Sequence, residues 1–381
     1  MKLLYIFNKM HNYGGMERIL TAKMNYLSEI DNYDIHFITY EQQNIPLPFK
    51  LSTKINYLTI NASIADRINL SFFPWLYSYY LTRKRFKNEL KLALEMIKPE
   101  ILLVSTYSFN VLDIIINLCN KLGIKIILES HVEASTILMS YKYKYNPTLY
   151  WGIKKWDLYI LKALKDCNAI VSLTHNDALF WRIFSNKVHI IPNMLTVMSH
   201  KKDDYLSKRV ISVGRYTYQK GFDRLINIWK QIVTEYPDWD LYIYGSGDRT
   251  EYEKMVIENE LCKHVHCMPP SENIAEEYAK CSIYCMCSRY EGFGLVLIEA
   301  MNCGLPCISY NCPYGPSEII NNDIDGYLID ESDEKQFVNK LKSLMNDVNL
   351  RERMGTAAKN NVIRYSQSNI MNQWIDLLEK L

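Results

Sequence analysis

Glycine is scarce in this sequence. Fourteen occur among 381 residues, about half of what an average usage of roughly 7% would supply. Collagen-like and glycine-rich low-complexity chains are thereby excluded, and each glycine that remains is worth locating. No C-x-x-C pair is present either, although seven of the ten cysteines fall between Cys262 and Cys307. Cys281, Cys285 and Cys287, with His264 and His266 nearby, therefore read as small buried hydrophobes around a strand rather than as a zinc site. No run reaches the 18 or so apolar residues of a membrane span. Met1-Lys2 leads into only five apolar residues before Asn8-Lys9, too few for a signal-peptide core, so a cytoplasmic protein is expected. A large net charge is missing as well: 44 Lys and Arg against 42 Asp and Glu leave +2, and no global field draws the chain to nucleic acid. With 48% hydrophobic and 23% charged residues, what remains is a soluble globular protein. Tyrosine is the surplus, at 29 residues.

Short apolar runs alternate with helical patterns from end to end, the signature of βαβ units and parallel sheets. Strands are expected at 2–7, 35–39, 101–105, 125–129, 169–173 and 188–191, and helices at 16–30, 83–98, 111–122, 153–165 and 177–184. The pattern pauses from 192 to 208, where Pro192-Asn193 and a polar run have the character of a linker. A second series follows. Its strands are expected at 209–213, 240–244, 265–268, 282–286, 306–310 and 327–329, its helices at 222–235, 250–259, 274–279, 295–303 and 334–345, with a helical tail at 350–360 and 368–381. The expected organisation is a domain over 1–195, a linker over 196–208, a second domain over 209–360, and a terminal helix over 361–381 that returns to the first domain. Each domain reads as a doubly wound α/β sheet. Ligands of such sheets sit beyond the carboxyl ends of the strands, which places the expected site in a cleft between the domains.

The strongest local signal is Ser288-Arg-Tyr-Glu291-Gly-Phe293-Gly294-Leu295-Val-Leu-Ile-Glu299-Ala-Met-Asn-Cys-Gly304. A buried strand ends, a glycine-bearing loop follows, and a helix starts near Gly294 and stops at Gly304. Free backbone N–H groups and the positive end of a helix dipole then meet at a sheet edge, which suits an anion. Glu291 and Glu299 frame it and could hold neutral hydroxyls; the competing reading makes Glu291 a mere complement to the dipole and Glu299 a solvated surface residue. A second junction, Gly214-Arg215-Tyr-Thr-Tyr-Gln-Lys220-Gly221, carries two cations suited to a diphosphate, or simply solvated. The first loop ends in Gly14-Gly15, where positive φ and close backbone approach are permitted. Gly245-Ser-Gly247 lacks the third glycine of a dinucleotide fingerprint, so an oxidoreductase is poorly supported. Glu129-Ser-His131 ends a strand of the first domain; its histidine is either structural or, from its place at the carboxyl end, a ligand contact. Asp238-Trp-Asp240 precedes a strand and Asp323-Ile-Asp325-Gly326 reads as a turn, so neither D-x-D string is taken as a metal site.

Glu291 and Glu299 enclose seven residues, and the E-x7-E block Glu291-Gly-Phe-Gly-Leu-Val-Leu-Ile-Glu-Ala-Met resembles the signature of the family-4 retaining glycosyltransferases of GT-B fold, two Rossmann-like doubly wound domains facing across a cleft. Four further blocks follow the same order: Gly14-Gly15-Met-Glu17-Arg18, Glu129-Ser-His131, Gly214-Arg215 through Lys220-Gly221, and Gly315-Pro-Ser-Glu318 with Asp325-Gly326. The resemblance implies that Arg215 and Lys220 neutralise a donor diphosphate and that Glu291 contacts hydroxyls of the transferred sugar. It implies that amides near Phe293, Gly294 and Leu295 hold sugar and phosphate, that Glu299 binds the ribose, that Gly15 approaches the diphosphate, and that His131 lies beside the reactive centre. It implies no cofactor and no metal, the nucleotide-sugar being a substrate; UDP-hexose or UDP-N-acetylhexosamine is the first expectation and GDP-mannose the second.

Residues 71–87 and 141–156 mix aromatic and basic side chains, including Trp75, Arg83, Lys84, Arg85, Lys87, Trp151, Lys154, Lys155 and Trp156. That combination suits an anionic inner-leaflet surface, or equally a helix flank with tyrosines packed beneath. On the membrane reading the acceptor is a lipid-linked glycan, as in bacterial capsule or O-antigen assembly. Two rivals remain, a GT-B sugar-nucleotide epimerase and a non-catalytic sugar-nucleotide-binding subunit.

Overall fold

The computed structural model describes residues 1–11, 13–60, 62, 72–105, 111–131, 147–197 and 205–381. Much of the second aromatic-basic stretch (141–146), the start of the first (71) and part of the expected linker (198–204) lie outside the described residues. The chain divides into two compact units, Met1–Pro192 joined by Met371–Leu381, and Asn193–Ile370.

The first unit is built on β1 (Lys2–Phe7), β2 (Asp34–Thr39), β3 (Asn56–Thr59), β4 (Ile101–Ser105), β5 (Lys125–Ser130), β6 (Ala169–Ser172) and β7 (Val188–Ile190). They form one sheet in the order β3-β2-β1-β4-β5-β6-β7, with every neighbouring pair parallel. The central strands read as unbroken apolar runs because helices cover both faces, and all five residues of β4 are buried. The helices are α1 (Gly15–Ser28), α2 (Phe72–Ile97), α3 (Leu112–Leu122), α4 (Pro147–Ala163) and α5 (His175–Arg182). α3 stops where Gly123 turns left-handed at φ 69°, and α5 starts where the Thr174 hydroxyl accepts the Asp177 N–H.

The second unit repeats the plan with β8 (Arg209–Val213), β9 (Asp240–Tyr244), β10 (Val265–Met268), β11 (Ile283–Met286), β12 (Cys307–Tyr310) and β13 (Gly326–Ile329), ordered β10-β9-β8-β11-β12-β13. Its helices include α6 (Phe222–Ile232), α7 (Thr250–Glu258), α8 (Ile274–Ala279), α9 (Leu295–Asn302), α10 (Pro316–Ile319), α11 (Glu334–Asn346) and α12 (Val348–Asn361), followed by the terminal α13 (Gln367–Lys380). Phe222, Leu225, Ile226, Trp229 and Ile232 recur at three- and four-residue spacing and are all buried, the stripe by which α6 is held to its sheet. Both sheets reverse strand order, between β1 and β4 and between β8 and β11. Loops leaving the sheet at such a reversal diverge and open a crevice.

Several elements depart from the expectation: α4 begins at Pro147 rather than Ile153, and no helix is expected at α10. β3 has mostly exposed side chains, so no apolar run marks it. α2 begins at Phe72 rather than Arg83, with Pro74 in its first turn, where its missing N–H costs nothing. All ten cysteines are free thiols: Cys262 is exposed, Cys267 half-buried and the others buried. Burial pushes Cys119 and Cys167 in the first unit up to about 12.

Candidate functional site

In the second unit, the loops after β8 and β11 flank the strand reversal and carry five of the expected residues, Arg215, Lys220, Glu291, Phe293 and Gly294. Gly221 is left-handed, and a Cβ there would stand 2.0 Å from the Cys287 carbonyl oxygen, so only glycine lets the two loops meet. Gly214 makes room for the stem of Lys220, whose Cδ would lie 2.9 Å from a Cβ at that position. The Lys220 ammonium thus reaches Glu291 Oε1 at 2.7 Å, and the Ser288 hydroxyl donates to the same oxygen at 2.6 Å. Both charged side chains are mostly enclosed, 14% and 7% exposed. Arg215 is exposed and makes no side-chain hydrogen bond or ion pair among the described residues.

A clamp ties these loops together. The Arg289 N–H donates to the Gln219 carbonyl at 2.8 Å, and Gln219 Nε2 donates to the Tyr290 carbonyl at 2.9 Å. The Arg289 guanidinium donates to the Tyr218 carbonyl at 2.7 Å, forks onto Asp223 at 2.9 and 2.6 Å, and lies 3.8 Å from the Tyr218 ring centroid. Burial works against the charge on Asp223, but the hydrogen bonds and charge of Arg289 outweigh it and hold that carboxyl below its usual range.

α9 begins after Gly294, left-handed at φ 100°, and its first backbone N–H groups have no partner within the helix. Gly315 presses on this turn, since a Cβ there would meet the Phe293 carbonyl oxygen at 2.2 Å. The Phe293 side chain is core, edge-on to Tyr365 at 5.5 Å, so only its backbone is left for a ligand; Leu295, the first residue of α9, is half-buried. Glu299 is 3% exposed and accepts from Tyr278 at 3.5 Å, which overturns the reading of it as a solvated surface residue. Gly245 is explained by packing: a Cβ there would stand 1.7 Å from the Gly214 carbonyl oxygen. Asp325 takes hydrogen bonds from the Asn321 N–H, Asn321 Nδ2 and Asn361 Nδ2 at 2.8, 2.9 and 2.6 Å, which accounts for it as a turn.

In the first unit, Gly14 caps α1 in an extended conformation (φ −88°) and Gly15 begins the helix. Neither has positive φ, so that part of the freedom expected of them is not used; the space at Gly14 is taken by the Glu17 carboxylate, 2.3 Å from where a Cβ would be. At the end of β5, His131 is 5% exposed and its Nε2 lies 2.9 Å from Glu129 Oε2. The Ser105 hydroxyl, ending β4, donates to the same oxygen at 2.9 Å, and Lys23 of α1 donates to Oε1. Lys23 and Glu129 are each 2% exposed. Burial raises the Glu129 carboxyl, yet the charge of Lys23 and the hydrogen bonds outweigh it and hold the group at about 2; for Lys23 burial dominates and lowers the ammonium.

The sequence reading missed Lys23, Ser105, Ser288 and the Arg289 clamp. Lys23 had a signal: it interrupts the stripe Met16, Ile19, Leu20, Met24, Leu27, all buried, where a cation is costly unless paired. In the aromatic-basic stretch on α2, Arg83 turns inward to Asp113 at 2.6 Å and Arg85 pairs with Glu89 at 2.9 Å, while Lys84, Arg85 and Lys87 are exposed. Among the described residues no helix is long and apolar enough to cross a membrane, and no group of three or more His, Cys, Asp or Glu side chains could hold a metal.

Residues 200–361 match the family model described as glycosyl transferases group 1. The amylovoran biosynthesis glycosyltransferase AmsD of Erwinia amylovora is 27% identical over 99% of both chains. Sucrose-phosphate synthase from Thermosynechococcus elongatus superposes with a TM-score of 0.80, covering 100% of this chain and 99% of that one at 18% identity. Anabaena HepE in complex with UDP-glucose gives 0.73 over 100% of both chains at 13% identity. The two doubly wound units are those of the GT-B fold, and the match over the second unit together with a relative of full length supports a GT-B glycosyltransferase.

Proposed function

We propose that the chain is a retaining, metal-independent glycosyltransferase of the family-4 type, moving a hexose or N-acetylhexosamine from a nucleotide-sugar to a glycan in bacterial surface polysaccharide assembly. The observation that carries this reading is the cluster of Lys220, Ser288 and Glu291 at the strand reversal of the second sheet, just before the glycine-capped start of α9. An ammonium has three donors and a carboxylate accepts at two oxygens. Lys220 can therefore serve a phosphate oxygen while still bonding Glu291, and Glu291 keeps acceptor capacity for sugar hydroxyls.

In the reaction, the bond from the anomeric carbon to the diphosphate breaks, the acceptor oxygen bonds to that carbon on the same face, and the acceptor's proton passes to the leaving phosphate. Charge builds on the diphosphate, and stabilising it is the main demand. Lys220, exposed Arg215 and the N-terminal amides of α9 at Leu295 meet that demand with fixed and movable positive charge. Glu299 takes the ribose, and in the first unit Gly15 and His131 take the roles that the resemblance implies. A UDP-sugar is the favoured donor, in line with the UDP-glucose of HepE, and GDP-mannose the second; AmsD's part in amylovoran biosynthesis favours a growing glycan as acceptor.

A donor screen tests the reading. Nucleoside diphosphate release is followed by mass spectrometry from UDP- and GDP-sugars, with and without a polyprenyl-diphosphate-linked glycan, and the anomeric configuration of the product is read by NMR. Acceptor-dependent release with retained configuration is expected. No release from any donor under either condition would overturn it, and inversion would overturn the retaining part alone.

A further inference from the structure

The first unit holds a buried chain of polar groups that the donor chemistry above does not use. Lys23, Glu129 and His131 follow one another through hydrogen bonds, and Ser105 joins at Glu129 Oε2. The Lys23 ammonium is closed in by aromatic faces, 3.9 Å from the Trp374 ring centroid and 5.3 Å from that of Tyr5. Trp374 lies on α13, in the returning segment that belongs to the first unit. His131 Nδ1 is buried and has no hydrogen-bond partner among the described residues.

These contacts fix where the imidazole proton sits. An ionised carboxylate only accepts, so the nitrogen facing Glu129 must carry hydrogen. A second proton on Nδ1 would be buried with nothing among the described residues to receive it, a costly arrangement. The ring therefore holds its proton on Nε2 and keeps a lone pair at Nδ1. Lys23 is the second control. It is a donor only and, walled by two rings, has Glu129 as its one hydrogen-bond acceptor among the described residues, so it fixes which oxygen of Glu129 is left for His131.

We infer that Lys23, Glu129 and Ser105 are positioning residues that set the His131 tautomer, so that Nδ1 accepts a hydrogen bond from a hydroxyl of the sugar or acceptor; this rests on the glycosyltransferase reading. Glu129→Gln discriminates this from a merely structural role. Lys23 would face the new amide oxygen, the amide nitrogen would face His131, and the imidazole proton would be driven to Nδ1. The acceptor would become a donor, the logic by which a triad loses its proper tautomer. Adding Lys23→Met removes the group that orients the amide, which can then turn its oxygen to His131 and restore the original tautomer.

The experiment is imidazole 15N NMR of the full chain, with His131 assigned by its loss in His131→Gln, alongside steady-state transfer from the donor that the screen identifies. The wild type should show hydrogen on Nε2, Glu129→Gln hydrogen on Nδ1, and the double variant hydrogen on Nε2 again. The kcat should fall about tenfold or more in Glu129→Gln, with donor KM changed less than about threefold, and recover most of that loss in the double variant. Hydrogen on Nδ1 in the wild type, or one tautomer in all three proteins, would overturn the inference. If Glu129→Gln fails to fold, the double variant, which buries no charge there, decides: hydrogen on Nδ1 in it overturns the inference and hydrogen on Nε2 upholds it. The predicted tautomer pattern in a protein that transfers no sugar would overturn the transferase reading while leaving the positioning intact.

Discussion

Each unit holds a Lys–Glu pair, one joining α1 to β5 in the first unit and one at the strand reversal of the second sheet, and the two pairs differ in enclosure. Lys23 and Glu129 are 2% exposed and walled by rings; Lys220 and Glu291 are 14% and 7% exposed, and Lys220 shares its loop with the exposed Arg215. A fully enclosed pair cannot exchange partners, because either ion alone would lack solvation. A pair at the edge of solvent can admit a third group. The same two residue types therefore make a fixed pair in one unit and an adjustable one in the other.

Breaking the enclosed pair should have the largest effect. Lys23→Met leaves Glu129 buried and uncompensated, and should destabilise the first unit by about 3–5 kcal/mol in urea unfolding followed by circular dichroism. Lys220→Met should cost less, about 1–3 kcal/mol by the same measurement, because the Ser288 hydroxyl still donates to Glu291; a loss as large as that of Lys23→Met would erase the distinction between the pairs. The order reverses for turnover. Lys220→Met and Glu291→Gln should each lower kcat by about 100- to 1,000-fold, with less loss of unfolding free energy than in Lys23→Met.

Acid sharpens the comparison next. Glu129 is held at about 2 in the folded chain against an ordinary 4.5, so its contribution to stability is fully present above about pH 4.5 and is lost as pH falls through about 2. Unfolding free energy of the first unit should decline across that window, and the decline should be shallower in the double variant Lys23→Met, Glu129→Gln. The smallest effect is expected at the clamp. Arg289→Lys keeps the charge but loses the fork onto Asp223 and the ring stacking, and kcat should drop about tenfold with little change in unfolding. An unchanged kcat would show that the Gly221 contact alone sets the distance between Lys220 and Glu291.

Much of this was legible in the sequence, for reasons that also explain what was not. The central strands announce themselves because parallel sheets buried on both faces need unbroken apolar runs, whereas β3, with its exposed side chains, has none. Glu291, Lys220 and the start of α9 stand out because glycines punctuate the loops around them. The burial of Glu299 could not be read, since nothing local says that Tyr278 lies over it. Lys23 and Glu129 are 106 residues apart, and only the sheet order that sets β5 two strands from β1 brings them together. Distant polar partners depend on topology, which periodicity alone does not encode.

The cysteines offer a different kind of access to the molecule. Two are buried in the first unit, Cys119 and Cys167, six are buried in the second, and Cys262 alone is fully exposed. Burial keeps the enclosed thiols protonated and out of reach of alkylating reagents. The number of alkyl groups acquired by each molecule therefore identifies, by mass, which half has opened, and the two halves can be followed separately in one native, untagged chain.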